Sequence, residues 1–160
     1  MSTTVRPAEQ SDLNELIALM DTAVLELRGQ RGGEALAWAL DRNVSSLDTL
    51  TSALEAADTM LWCGLWENVL VGYAIASVVT EGDDQVVLIT DVYTTPDVRD
   101  VGVGELLLES AIAWATVLDA VAIDAYALPG ARESKNLFER FGLTARLITV
   151  RRQLRKAIDD

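Results

Sequence analysis

The stretch Ile89-Thr-Asp-Val-Tyr-Thr-Thr-Pro-Asp-Val-Arg-Asp-Val-Gly-Val-Gly-Glu-Leu-Leu-Leu108 constrains this chain more than any other. A β-branched run passes through Pro96 to two glycines, Gly102 and Gly104, and a strongly apolar helical pattern extends from Gly102 to Leu118. Strand, loop and glycine-opened helix in that order bring free main-chain N–H groups and the positive end of a helix dipole to one spot. That spot suits a pyrophosphate, because glycine lets the backbone approach an anion closely and Arg99 can add a charge-assisted hydrogen bond. A dinucleotide fingerprint would need a third glycine where Leu107 stands. A nucleoside triphosphate loop would need lysine and a hydroxyl residue where Glu105 and Leu106 stand. Taken alone, the two glycines are equally compatible with a tight turn that binds nothing.

The rest of the chain predicts the layers around this turn. Leu13, Leu16, Ile17, Met20, Val24 and Leu27 recur at helical spacing, which predicts a first helix over Asp12 to Leu27 with Ser11 as its N-cap. Gly29, Gly32 and Gly33 end it, and Glu34 to Ala57 reads as one or two further helices interrupted at Ser45 and Ser46. From Thr59 the period changes. Met60 to Leu65, Leu70 to Val79 and Gln85 to Thr94 read as three antiparallel strands joined by short turns. After the helix, Ala120 to Leu128 reads as a buried strand, Arg132 to Phe141 as a short helix stopped by Gly142, and Thr144 to Leu154 as a last strand. The expectation is an α/β fold, one domain over residues 1–160, built on a single mixed, mostly antiparallel sheet flanked by helices.

Composition narrows the function. Half of the 160 residues are hydrophobic, enough for one core without staples, and the lone cysteine, Cys63, sits in an apolar run and reads as a small buried hydrophobe. A net charge of −12 argues against nucleic acid as a partner. The same field favours a cationic amine as substrate, or serves only solubility. There is no histidine, so proton transfer must use carboxylates, tyrosines, water or backbone, and no metal is expected. No basic-then-apolar leader and no spanning apolar run is present in the sequence, so the expected location is cytoplasmic, with no membrane partner.

The stretch Pro96-Asp-Val-Arg-Asp-Val-Gly-Val-Gly-Glu-Leu-Leu107 resembles the acetyl-CoA signature of the GCN5-related N-acetyltransferases (GNAT), a glutamine or arginine followed by x-x-G-x-G/A. Arg132-Glu-Ser-Lys-Asn-Leu-Phe-Glu-Arg-Phe-Gly-Leu143 resembles that family's second motif. Val5-Arg-Pro-Ala, Ser11-Asp-Leu and the Val71-Gly-Tyr73 strand are similar to its opening and third strand. The likeness covers nearly the whole chain in order. It implies a pair of splayed strands, ending near Thr94 and Leu128, that admit the pantetheine arm of acetyl-CoA. The backbone of Val92, Tyr93 and Thr94 would bond the arm, and Arg99, Asp100, Val101, Gly102, Val103, Gly104 and Glu105 would hold the pyrophosphate. The amine would enter from the side of the first helices and the 60s and 70s strands.

Direct acetyl transfer needs a base, an oxyanion donor and an acid around one carbon. Asp91 stands where the resemblance implies an acidic residue, and it reads equally well as a solvated or salt-bridged strand carboxylate. Tyr93, two residues on, should share its face. Tyr93 and Tyr126 are the candidate acids for the departing thiolate, or else aromatic residues of the core. The chain departs from the family pattern at three places. Phe138 replaces the usual acid tyrosine, Ala131 replaces an asparagine that contacts the cofactor, and Val101 replaces a basic or polar residue, so Arg132 or Lys135 would assist Arg99. These departures leave open an acyl-CoA-binding module without turnover, and the bare turn leaves open a helix-rich interaction protein. Trp114 reads as core, and Trp38 and Trp66 as candidate walls of an acceptor pocket. The apolar final strand fits either a homodimer contact or an edge covered within one chain.

Overall fold

A computed structural model describes residues 2–155. Its centre is a five-stranded sheet in the order β1 (Thr3–Pro7), β2 (Thr59–Trp66), β3 (Val69–Glu81), β4 (Asp84–Thr94) and β5 (Ala122–Ala125). All neighbours are antiparallel except β4 and β5, which run parallel. Five helices surround it: α1 (Leu13–Arg28), α2 (Gly33–Ala39), α3 (Ser46–Glu55), α4 (Val103–Val117) and α5 (Arg132–Arg140). Short 3-10 turns at Gln10–Asp12 and Pro96–Val98 lead into α1 and toward α4.

The alternation read from the sequence decides which helix covers which face. Trp62, Val71, Ala74, Ala76, Val87 and Ile89 point to one face and pack under Val103, Leu107, Leu108, Ala111 and Ala115 of α4 and Phe138 of α5. Leu61, Cys63, Tyr73 and Ile75 point to the other face and meet Leu16 and Met20 of α1 and Leu50 and Ala53 of α3. Fully burying a leucine such as Leu107 or Leu108 contributes about 2 kcal/mol, so α4 is held chiefly by its apolar stripe. Gly64 fixes how close α4 comes to the sheet, since a Cβ there would lie 2.5 Å from Val103 Cγ1. Trp114 packs edge-on to Trp62 with ring centroids 5.8 Å apart, as core. Burial pushes the Cys63 thiol up to about 12, as expected of a buried small residue.

Some boundaries differ from the sequence expectation. The first strand, β1, carries no apolar alternation and exists because β2 offers it an edge. The N-cap position of α1 is held by Asp12 rather than Ser11, without a side-chain bond to the helix. Its carboxylate accepts Arg6 Nη1 and Nη2 at 2.7 and 2.8 Å and the Glu9 N–H at 2.8 Å. Ser45 caps α3 through Asp48 N–H at 3.1 Å. The strand expected from Ala120 to Leu128 is shortened to β5, because only Val86–Ile89 of β4 remains beside it, and it is not buried as expected: its residues alternate between exposed and half-buried. Thr144 to Leu154 forms no strand; it is exposed and lies beside no neighbour.

Candidate active site

The site begins where the sheet comes apart. In β4, Ile89 pairs with Ala76 and Asp91 pairs with Ile75, so Thr90 is an extra residue that bulges. A bulge bends its strand and re-aims the side chains after it. Val87 and Ile89 face α4 before the bulge, while Tyr93 faces the α1 side beyond it. Pairing with β5 stops at the same point, at Ile89 and Ala125. Residues 90–94 therefore keep one backbone edge free of β5, which is the splay that the resemblance implies.

The freed edge opens into a cleft of about 1060 Å³, at the upper end of small-ligand pockets. It runs from α1 and α2, past Asp91 to Thr94 and Tyr126 to Leu128, to the start of α4 and the inner side of α5. At the α4 end Gly102 takes φ +92°, a left-handed conformation that glycine adopts without strain, and a Cβ there would meet nothing within 4 Å. No side chain caps α4, so among the described residues its first N–H groups have no internal partner. Gly104 lies 3.5 Å from Leu137 and 3.9 Å from Thr94 when given a Cβ, which keeps the turn next to the end of β4. Val103 is buried and Val101 packs against the core, so at the turn they offer only main chain. Asp100 and Glu105 line the cleft, with Glu105 paired to Arg140 at 2.8 Å.

Five of the chain's thirteen cationic residues, Arg31, Arg42, Arg99, Arg132 and Arg140, line this one cleft of a −12 protein. Arg31 and Arg132 have no carboxylate partner among the described residues. Lys135 instead meets Glu139 at 4.0 Å on the α5 surface. The cleft thus offers free cation toward an anionic ligand despite the acidic whole.

The side nearer α1 is made of ion pairs. Asp91 receives two bonds from Arg42, Nε to Oδ2 at 3.1 Å and Nη2 to Oδ1, and the two side chains keep only 12% and 10% exposure. Arg42 Nη1 also donates to the Leu40 carbonyl at 2.5 Å. Burial works against the Arg42 charge, but the hydrogen bonds and charge of Asp91 outweigh it and raise its pKa. Direct contact of any ligand with the Asp91 carboxylate would require Arg42 to be displaced. Tyr93 shares the α1-facing side with Asp91, as its spacing predicts. Its hydroxyl donates to Glu26 Oε2 at 3.2 Å, and its ring lies 6.0 Å from that of Tyr73 and 5.6 Å from the Arg99 guanidinium. Burial and then Glu26 push the Tyr93 phenol up, while burial does the same to Tyr73.

Arg99 points to α1 as well: Nη2 donates to Glu26 Oε1 at 2.6 Å, and Nε donates to the Thr94 carbonyl at 2.9 Å. Its guanidinium is thereby turned from the glycines toward the strand end. Tyr126 lies just past β5, half-exposed on the cleft wall, with no hydrogen-bond partner for its hydroxyl among the described residues. Phe138 lines the cleft and is otherwise buried. Neither Trp38 nor Trp66 lines it. Trp38 is 59% exposed on α2 with its indole N–H on Glu34 at 3.1 Å, and Trp66 packs toward the α4 face of the sheet. Glu26 and Arg42 are cleft residues that carry no motif, and Arg140 lies in the second motif without having been singled out. For Glu26 the only sequence signal is its place at the rim of the apolar stripe, between Ala23 and Leu27.

No group of acidic, cysteine or histidine side chains suited to a metal occurs among the described residues, and none of their helices is long and apolar enough to cross a membrane. Residues 34–143 match the sequence profile of the acetyltransferase (GNAT) family. Among curated protein sequences, none matches the chain. Solved structures share the fold at low identity. The aminoglycoside N-acetyltransferase AAC(6')-Iy, in complex with a bisubstrate analogue of CoA and acetylneamine, is 19% identical with a TM-score of 0.71, over 96% of this chain and 99% of the other. The aminoglycoside 6'-N-acetyltransferase AAC(6')-IG from Acinetobacter haemolyticus is 17% identical with a TM-score of 0.69, over 98% and 99%. A predicted acetyltransferase from Clostridium acetobutylicum, bound to acetyl-CoA, is 14% identical with a TM-score of 0.69, over 96% and 97%.

Proposed function

Because the chain belongs to the acetyltransferase (GNAT) family, we propose that it transfers the acetyl group of acetyl-CoA to a primary amine, on a small molecule, peptide or protein, by direct attack. The observation that carries this reading is the coincidence of three features in one cleft: the strand edge freed at Thr90, the uncapped start of α4, and two arginines, Arg31 and Arg132, without a carboxylate partner among the described residues. The main-chain N–H groups of Val103, Gly104 and Glu105, with Arg132 nearby, suit a diphosphate. The free edge at Val92, Tyr93 and Thr94 suits the amide-bearing pantetheine arm. Acetyl-CoA supplies the activated thioester carbonyl.

In the transfer the amine nitrogen bonds to that carbonyl carbon, the carbon–sulfur bond breaks, the amine loses a proton and the thiolate gains one. Tyr126 is the better acid of the two tyrosines, because its hydroxyl is uncommitted, whereas that of Tyr93 is held by Glu26. Asp91, reached through water or after Arg42 gives way, takes the amine proton. Main-chain N–H at the strand edge is the available oxyanion donor, and correct placement of the two reactants supplies much of the rate. A cationic acceptor would have to take the place of Arg42 on Asp91 or of Arg99 on Glu26 at the α1 end.

A second reading, an acyl-CoA-binding module without turnover, is favoured by Phe138 and by the hold of Arg42 on Asp91. Two measurements separate the outcomes. Calorimetric titration with acetyl-CoA should give one site per chain, and thiol release across a panel of amines should exceed that without amine. Absent heat would sink both readings. Heat without thiol release would leave the second.

A further inference from the structure

We infer that the amine acetylated by this chain is a zwitterion with an apolar body, in the simplest case an apolar amino acid, whose anionic group is held by Arg31. The inference rests on the acetyl-transfer reading and names the acceptor for it. Its starting point is the charge at the α1 end of the cleft. Two carboxylates line that end, and both are committed: Asp91 to Arg42, and Glu26 to Arg99 and the Tyr93 hydroxyl. A purely cationic amine would have to break one of these pairs and leave Arg42 or Arg99 without its counter-ion. Arg31 lines the same end and has no carboxylate partner among the described residues. The uncompensated charge on this side is therefore positive.

The turn that carries Arg31 is fixed. Gly33 N–H donates to the Gln30 carbonyl at 2.9 Å and Gly32 takes φ +81°, so Gln30 to Gly33 is a hydrogen-bonded turn with Arg31 and Gly32 at its centre. Gln30 N–H donates back to the Leu27 carbonyl at 3.0 Å, which ties the turn to the end of α1. A Cβ on Gly32 would lie 3.5 Å from Leu128 Cδ2, so the turn stands against the segment that follows β5, at the mouth of the splay. Glu34 is the only carboxylate of α2, and Arg28 already holds it at 2.5 Å, which leaves Arg31 nothing to pair with there. Gln30 lines the cleft beside Arg31, and a guanidinium fork next to a side-chain amide matches a carboxylate.

The walls of this end set the rest of the acceptor. Leu27, Leu36 and Leu40 are half-buried, line the cleft and, among the described residues, belong to neither of the two cores. Three leucines turned to one cleft suit an apolar body rather than a polyhydroxylated one. With the anion on Arg31 and the body on the leucines, the amine is left to face the freed strand edge beside Asp91 and Tyr93. There its nitrogen bonds to the acetyl carbon, the carbon–sulfur bond breaks, the nitrogen gives up a proton and the thiolate takes one, while the anionic group is unchanged. A zwitterion has no net charge, so the −12 of the chain does not repel it. Arg132, the other unpaired arginine of the cleft, starts α5 at the diphosphate end, so the two free cations serve two different anions.

The test is thiol release from acetyl-CoA with leucine, methionine and phenylalanine, each beside its amide, its decarboxylated amine and its phosphonate analogue. The free acids should exceed their amides and amines in kcat/KM by about tenfold or more, the range of a lost hydrogen bond to a charged group. Arg31→Gln, at an exposed position, should erase that preference, leave turnover of the amides unchanged and keep acetyl-CoA affinity within about twofold. Arg31→Lys should restore part of the preference, since it returns the charge without the fork. Phosphonates that outrun the acids keep the inference, with a phosphate-bearing amine as the acceptor. Equal rates for acid and amide, a preference that persists in Arg31→Gln, a loss of acetyl-CoA affinity in that variant, or turnover of other amines but none of these would each overturn it. If acetyl-CoA binds and no amine at all releases thiol, the transfer reading fails, and calorimetric titration of the same panel into the complex with coenzyme A decides the rest. Acids that bind only with Arg31 in place would keep the anion site, and acids that bind no better than their amides would overturn it.

Discussion

The two ends of the cleft are built by different means. At the α4 end the groups proposed to bind acetyl-CoA are main-chain amides, presented by a left-handed glycine and an uncapped helix start, with side chains such as Val101 and Val103 turned inward. At the α1 end they are side chains held by one another: Arg42 on Asp91, and Glu26 on both Tyr93 and Arg99. An end made of backbone tolerates most sequence changes and fails when the backbone cannot take its shape. An end made of ion pairs fails one partner at a time, and each loss leaves an uncompensated charge. The first arrangement suits a cosubstrate whose diphosphate never varies. The second suits an acceptor whose identity does.

Gly102→Glu is the strongest test of the backbone end. The new Cβ meets no protein atom within 4 Å, so the fold should survive, but the substitution puts a carboxylate at the proposed diphosphate site and strains φ +92°. Acetyl-CoA affinity should fall by more than about 100-fold, roughly 3 kcal/mol, in a calorimetric titration. Wild-type affinity would move the anion site elsewhere. Asp91→Asn breaks the ion-pair end instead. Arg42, 10% exposed, loses its charged partner, and unfolding free energy should drop by about 3 kcal/mol in chemical denaturation. If Asp91 is also the base, turnover should fall by about 100-fold as well, whereas unaltered turnover would leave it only the structural role.

The contrast between the ends also explains what could be read from the sequence. Glycine spacing and helical period are local, so the turn at Gly102 and the stripe of α4 were legible, as was the alternation of β2 to β4. Glu26 is 67 residues from Tyr93, and Arg42 is 49 residues from Asp91, so no local pattern announces either pair. The splay depends on a bulge at Thr90, which carries no glycine to mark it. The strand expected from Thr144 to Leu154 has the right composition, but a strand is made by its neighbour, and the sheet ends at β5 without it.

Glu26→Gln perturbs the ion-pair end more gently. Glu26 and Arg99 keep about a third of their exposure, so the lost pair should cost about 0.5 kcal/mol. Arg99, released from the carboxylate, should bind acetyl-CoA about threefold tighter. With Glu26 neutral, Tyr93 loses an influence that raises its pKa while Arg99 still lowers it, so the phenolate absorbance should appear at lower pH than in the wild type. A raised folded value means that stability owed to the protonated phenol is present below pH 10.0 and is lost as pH climbs past it. The variant should therefore lose less stability over that alkaline range. Tighter binding without the shift in phenolate titration would detach Tyr93 from this cluster.

The smallest effect is expected at Trp38. A large exposed aromatic on α2 invites assignment to an acceptor wall, but Trp38 stands outside the cleft and bonds only Glu34 through its indole N–H. Trp38→Ala should change stability by about 0.5 kcal/mol or less. The acceptor KM should stay within about twofold, since roughly 0.4 kcal/mol is all that an indirect contact at this exposed position can transmit. A clear rise in KM with unaltered acetyl-CoA affinity would extend the acceptor region from the Glu26 and Asp91 carboxylates over the outer face of α2. The ion-pair end would then be only the inner part of the surface that selects the amine.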